Sequence, residues 1–134
     1  MILKSYELSK LKLENYKFYL FYGENEGLKE ETIKDLFEKK YQDKIYRYEE
    51  KEILDNRDNF FNSVFTKSFF DNEKLIIINR ATDKIKETIE DLIKKNPVDI
   101  QIILNSKNLE KKSTLRKIFE KEKSIICVPF YEDN

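Results

Sequence analysis

The chain has 134 residues, 26 basic against 26 acidic side chains, no histidine and one cysteine. That length supports one hydrophobic core, and zero net charge gives no whole-molecule attraction to DNA or to an anionic membrane. The missing histidine and single thiol exclude disulfides, thiolate zinc sites and every Ser-His or Cys-His nucleophile.

No apolar run approaches the ~20 residues of a membrane span, and Met1 to Ser5 do not begin a secretory signal, so a cytoplasmic protein without membrane contact is expected. Five short segments rich in Ile, Leu, Val, Phe or Tyr are predicted strands: Lys17 to Tyr22, Lys44 to Tyr48, Lys74 to Ile78, Ile100 to Leu104 and Ser124 to Val128. Helical spacing fills the gaps. Leu28, Thr32, Ile33, Leu36 and Phe37 form one stripe, with Asn25 placed to cap it. Phe61, Val64 and Phe65 have core spacing in a second helix. Ile85, Ile89, Leu92 and Ile93 form a third stripe closed by Asn96 and Pro97, and Leu115, Ile118 and Phe119 form a last one. Strands alternating with helices predict an α/β domain, a mostly parallel five-stranded sheet with helices on both faces. The near-continuous apolar runs at 74–78 and 100–104 belong in the middle of that sheet. The chain stops soon after its last strand, which suggests the first domain of a longer protein.

The first strand runs into Gly23-Glu24-Asn25-Glu26-Gly27-Leu28-Lys29-Glu30, where a nucleotide-binding fold of this layout carries its phosphate loop. A working loop reads G-x-x-x-x-G-K-[ST]: its amides wrap the phosphates, its lysine neutralises them and its hydroxyl binds magnesium. Gly23 and Lys29 fit, but Leu28 replaces the second glycine and Glu30 the hydroxyl. Glu24 and Glu26 would oppose a triphosphate by a few kcal/mol at ~4 Å, even at an effective dielectric near 20. The third strand of such an enzyme also ends in an acidic pair, whereas this one ends in Asn79-Arg80. Both departures predict a degenerate nucleotide site, with no cofactor. An unrelated strand-turn-helix, with Gly23 in the turn and Gly27 at the helix start, is the alternative.

Phe69 and Phe70 sit in the connection before the central strand, where side chains are usually polar. Two explanations stand: both tuck under the sheet edge, or they form an exposed apolar plug for a partner's pocket. Cys127, inside an apolar strand, reads as a core residue. Lys107, Lys111, Lys112, Arg116, Lys117, Lys121 and Lys123 gather around the fourth helix, read as a solvated face, with a DNA-backbone contact by residues 111–123 as the alternative. Asp43, Asp55, Asp58, Asp71 and Asp83 fall near element ends and read as caps or turns.

Four stretches, in order, carry a resemblance to a family: YLFYGENEGLKEETI at 19–33, SFF at 68–70 leading into KLIII at 74–78, ILNSKNLEKKSTLRK at 103–117, and IICV at 125–128. Together they resemble the N-terminal domain of the delta subunit of the bacterial DNA polymerase III clamp loader. The resemblance implies a P-loop NTPase or AAA+ type fold that does not bind ATP. It also implies a short Ser-Leu-Phe-like plug for the sliding clamp, which places Phe69 and Phe70 at the plug positions, Ser68 before them, and Thr66 and Lys67 along the contact. Phe69 stands where the family usually has Leu. The implied partners are the beta sliding clamp, the gamma/tau and delta prime subunits, and primed DNA through the assembled complex. The implied role is to hold and help open the clamp without catalysis. The resemblance places residues 1–134 in one domain and leaves the lid and collar domains outside this chain. An active NTPase and a DNA-binding module are the competing functions.

Overall fold

All five predicted strands form, each within two residues of its expected ends. A computed structural model describes residues 1–66 and 73–131. The strands are β1 (Phe18–Tyr22), β2 (Ile45–Glu49), β3 (Lys74–Asn79), β4 (Ile100–Asn105) and β5 (Ile126–Pro129). Every pairing is parallel and the strand order is β2-β3-β4-β1-β5. β4 is therefore central, flanked by β3 and β1. All five residues of β1 are buried as well, because helices cover it on both sides.

Alternation along the strands divides the core in two. Leu20, Tyr22, Ile76, Ile78, Ile102 and Leu104 meet α3 (Glu50–Asp55), α4 (Arg57–Phe65), α5 (Lys86–Lys95) and α6 (Thr114–Lys121) on one face. On the opposite face Tyr19, Phe21, Ile77, Ile103 and Val128 meet α1 (Glu26–Ile33), which continues through a π-helical turn at Lys34–Glu38 into α2 (Lys39–Tyr41). The wider π turn offsets the drift of an ideal α-helix, so Ile33, Phe37 and Tyr41, spaced by four, all reach the core.

The N-terminal segment, unassigned by the sequence, closes this second face through two 3-10 turns, Ser5–Lys10 and Leu13–Asn15. Buried Gln101, a polar break in β4, ties it down. Its Nε2 donates to the carbonyls of Leu13 and Tyr16 at 2.7 and 2.8 Å, and its Oε1 accepts from the Tyr41 hydroxyl at 2.5 Å. Every polar atom of that side chain is thus satisfied inside the core.

Two expectations about aromatic and basic residues change. The fully buried residues of α4 are Phe60 and Val64; of the expected set Phe61, Val64 and Phe65, Val64 is buried, Phe61 packs half-buried against the core, and Phe65 lies outside it. Phe65 is 39% exposed and stacks on Phe61, 6.1 Å between ring centroids, with Lys95 Nζ of α5 4.9 Å from the Phe61 ring. Arg116 leaves the basic face of α6: its guanidinium lies 4.9 Å from the Tyr22 ring and donates to Glu120 and to the Leu109 carbonyl. Cys127 is fully buried, and that burial pushes its thiol up to about 12, consistent with a core residue.

Of the aspartates, Asp83 has a defined task. Its Oδ1 accepts from the Ser113 hydroxyl at 2.6 Å and from the Leu115 amide at 3.1 Å, and its Oδ2 accepts from the Thr114 amide at 3.3 Å, which joins the Asp83–Ile85 turn to the start of α6. The Ser113 bond first, opposed by burial and helped by the Leu115 and Thr114 amides, holds its carboxyl below the ordinary range. A lowered folded pKa means that the stabilisation is complete above about pH 4 and is lost as pH falls through the folded value. Asp83→Ala is accordingly expected to cost about 1–2 kcal/mol at pH 7. Urea titrations should show the gap between the two proteins closing as pH is lowered below about 4; a gap that stays constant to pH 2 would remove Asp83 from this role.

Candidate functional site

Parallel sheets bind ligands outside the carboxyl ends of their strands, where loop amides and helix N-termini converge. Here the ends of β2, β3 and β4 open onto a polar crevice of about 290 Å³ bordered by Glu26, Glu30, Glu49, Asn79, Arg80 and Lys107. The turn that a phosphate loop would occupy, Gly23 to Asn25, leads directly into α1, whose Glu26 and Glu30 line the crevice.

Five amides of that region are committed to the protein itself. Gly23 N–H donates to Lys107 O at 3.1 Å, Asn25 N–H to Phe130 O at 3.2 Å, and Glu26 N–H to Glu24 O at 2.9 Å. Leu28 N–H donates to Asn25 Oδ1 at 3.1 Å, which is the predicted cap, and Lys29 N–H to Asn25 O at 3.1 Å. The two glycines differ in kind. Gly23 has φ +121°, and a Cβ built there would lie 2.1 Å from the Phe130 carbonyl oxygen. Gly27 is an exposed helical residue where a Cβ would come no nearer than 4.0 Å to another atom, Asn25 Oδ1.

Lys29, the residue that would neutralise phosphates, is fully buried. Its Nζ donates to Glu26 Oε1 at 2.8 Å and to the Ser106 carbonyl at 2.6 Å. Glu26 therefore does more than oppose a phosphate, since it supplies the counter-charge. Ser106 is buried too, and its hydroxyl donates to Ala81 O at 2.7 Å, so Lys29 links α1 to the ends of β4 and β3. Glu30 borders the crevice from the exposed side of α1, and Leu28 is half-buried. Lys29→Ala, which removes both bonds and leaves a void, is expected to cost about 3 kcal/mol, and Lys29→Met, which keeps the packed stem, about 1 kcal/mol. Urea unfolding of the two variants distinguishes this structural lysine from a solvated one, for which both costs would fall below about 0.5 kcal/mol.

At the end of β3 the acidic pair of an NTPase is replaced in space as well as in sequence. Asn79 Oδ1 accepts from Asn105 Nδ2 at 3.3 Å, and Arg80, at φ 55°, places its Nε 2.5 Å from Glu49 Oε1. Among the described residues no cluster of three carboxylate, histidine or cysteine side chains could hold a metal ion.

Of the proposed contact residues, Lys67, Ser68, Phe69 and Phe70 lie outside the described residues, and so does Asp71. Thr66 is exposed and ends α4 in an extended conformation, its hydroxyl donating to Asn62 O at 2.6 Å. Lys74 of β3 reaches back to that helix end, with Nζ 3.1 Å from Ser63 O and 3.4 Å from Thr66 O. A positive charge at a helix C-terminus opposes the negative end of its dipole, so Lys74 steadies the point from which residues 67–72 depart. Tyr46, Tyr48, Ser63, Thr66, Lys74 and Ile76 enclose a half-apolar cleft of about 400 Å³ there. Apart from Arg116, the basic residues around α6 are exposed.

Parallel topology and a strand-turn-helix at the sheet's carboxyl edge define a five-stranded parallel α/β domain in which the turn after β1 is bonded to the protein itself. Residues 19–128 match the family model of DNA polymerase III, delta subunit, and the chain belongs to that family. Its fold is similar to that of the Bacillus subtilis DNA clamp loader delta protein (YqeN), with a TM-score of 0.67 and 18% sequence identity. That likeness covers 96% of this chain and 42% of the Bacillus protein, so the chain spans less than half of that protein's length. No curated protein matches it.

Proposed function

We propose that this chain is the AAA+ type N-terminal domain of a clamp-loader delta subunit, and that it holds the beta sliding clamp and helps open it during DNA replication without hydrolysing nucleotide. The observation that carries this reading is the family match over residues 19–128. The turn supports the non-catalytic part: the amides of Gly23, Asn25, Glu26, Leu28 and Lys29 and the Lys29 ammonium already have protein partners, which a triphosphate would have to displace to use those donors.

In this reading Thr66, Lys67, Ser68, Phe69 and Phe70 form the clamp contact. Lys74 steadies the end of α4 that precedes them, and Phe69 and Phe70 enter an apolar pocket on the clamp. The domain contributes binding free energy, and the gamma/tau and delta prime subunits contribute nucleotide chemistry and control. Lid and collar domains would follow in the longer protein, which meets primed DNA through the assembled complex in the cytoplasm.

Calorimetry separates this reading from an active NTPase. Titration with the cognate clamp is expected to give saturable heat, and titration with ATP and magnesium none. Micromolar ATP affinity would overturn the non-catalytic assignment, and absence of clamp heat at tens of micromolar protein would overturn the clamp contact.

A further inference from the structure

The turn after β1 is bonded to the chain leaving β5 more extensively than a β1 to α1 connection requires. Phe130 N–H donates to Tyr22 O at 2.7 Å, Asn25 N–H returns the bond to Phe130 O at 3.2 Å, and Asn25 Nδ2 donates to Tyr131 O at 3.2 Å. The Gly23 Cα packs against the Phe130 carbonyl so closely that only glycine fits. Asn25 thus has two tasks on one amide group: Oδ1 caps α1 through Leu28 N–H, and Nδ2 holds the backbone of Tyr131. The Tyr131 side chain is 63% exposed, so apolar burial does little to hold this residue; its other polar tie is a hydroxyl contact with Tyr22.

We propose that the Gly23–Asn25 turn is a clasp that fixes the direction in which the polypeptide leaves β5, the two Asn25 donors taking carbonyl oxygens of the outgoing chain where a phosphate loop would take a ligand. In a nucleotide-binding domain such donors are free to exchange ligand for water. Here their partner is covalently part of the same chain, so the exit direction is set permanently and does not vary with nucleotide. This inference stands on the hydrogen bonds of the turn and is independent of the clamp contact.

The chemistry of Asn25 supplies the test, because Asn25→Asp keeps an oxygen for Leu28 N–H and removes the donor to Tyr131. Nitrogen-15 relaxation and hydrogen exchange on the labelled protein are measured for the parent, Asn25→Asp, Asn25→Ala and Tyr131→Phe. The parent should show Tyr131 as ordered as β5. In Asn25→Asp the Tyr131 order parameter should fall below about 0.6 while Leu28 exchange stays within about twofold of the parent, and in Asn25→Ala both should loosen. Tyr131→Phe should leave the backbone ordered. A Tyr131 that is mobile in the parent, unchanged in Asn25→Asp, or released only by Tyr131→Phe would overturn the clasp. Millimolar ATP with magnesium should leave the amide shifts of residues 23–29 unmoved, and displacement of those shifts would overturn a clasp closed permanently.

Discussion

Gly23→Ala is expected to lower the free energy of unfolding by roughly 2–6 kcal/mol. Two costs combine: an L-residue held at a left-handed φ costs about 1–3 kcal/mol, and forcing atoms into a packed site costs about 1–3 kcal/mol more. The second cost is unusually hard to relieve here, because the atom met at 2.1 Å is the Phe130 backbone carbonyl, not the end of a flexible side chain. Moving it would break the Asn25 to Phe130 bond and disturb Phe130 N–H to Tyr22 O. Gly27→Ala, four residues on, should act in the opposite direction. It removes an exposed helical glycine whose added Cβ would meet nothing nearer than 4.0 Å, and is expected to stabilise by roughly 0.5–1 kcal/mol. Denaturant unfolding of the pair checks both signs, and equal effects would contradict the described turn.

The paired substitution Phe69→Ala/Phe70→Ala is expected to weaken clamp binding by ~3–6 kcal/mol, since burying each phenylalanine contributes ~1.5–3 kcal/mol. A few anchors commonly dominate such an interface, but truncation costs of neighbours are not additive, so the lower half of the range is the firmer expectation. Stability should change little if the rings meet the clamp. If they instead tuck under the sheet edge, the same variant would lose several kcal/mol of stability. Unfolding and binding measured on one preparation therefore distinguish the two explanations that the sequence left open.

How far the sequence discloses the molecule depends on whether a residue's task is local. The strands were legible because parallel strands buried on both faces need unbroken apolar runs, as in Leu75 to Ile78 and Ile102 to Leu104. Asn25 was legible as a cap because capping acts over three residues. Phe60, Phe61, Val64 and Phe65 share helical spacing, and only the placement of α4 against the sheet and α5 decides that Phe60 and Val64 go inward while Phe61 and Phe65 meet Lys95. Gly23 and Gly27 look alike in sequence, yet their difference comes from Phe130, more than a hundred positions away. Gln101 reads as an interruption of β4 until its partners Leu13, Tyr16 and Tyr41 are brought beside it. Likewise Lys29 matches a phosphate-loop position, and only the folded chain gives it Ser106 and Glu26 as partners.

The central claim, that this domain holds a sliding clamp, is tested most directly by sedimentation of a mixture of the purified chain and its cognate clamp, with the folded Phe69→Ala/Phe70→Ala variant alongside. The account predicts a co-sedimenting complex for the parent at micromolar concentration, unaffected by ATP, and its loss for the variant. Separate boundaries for parent and clamp at tens of micromolar would contradict it.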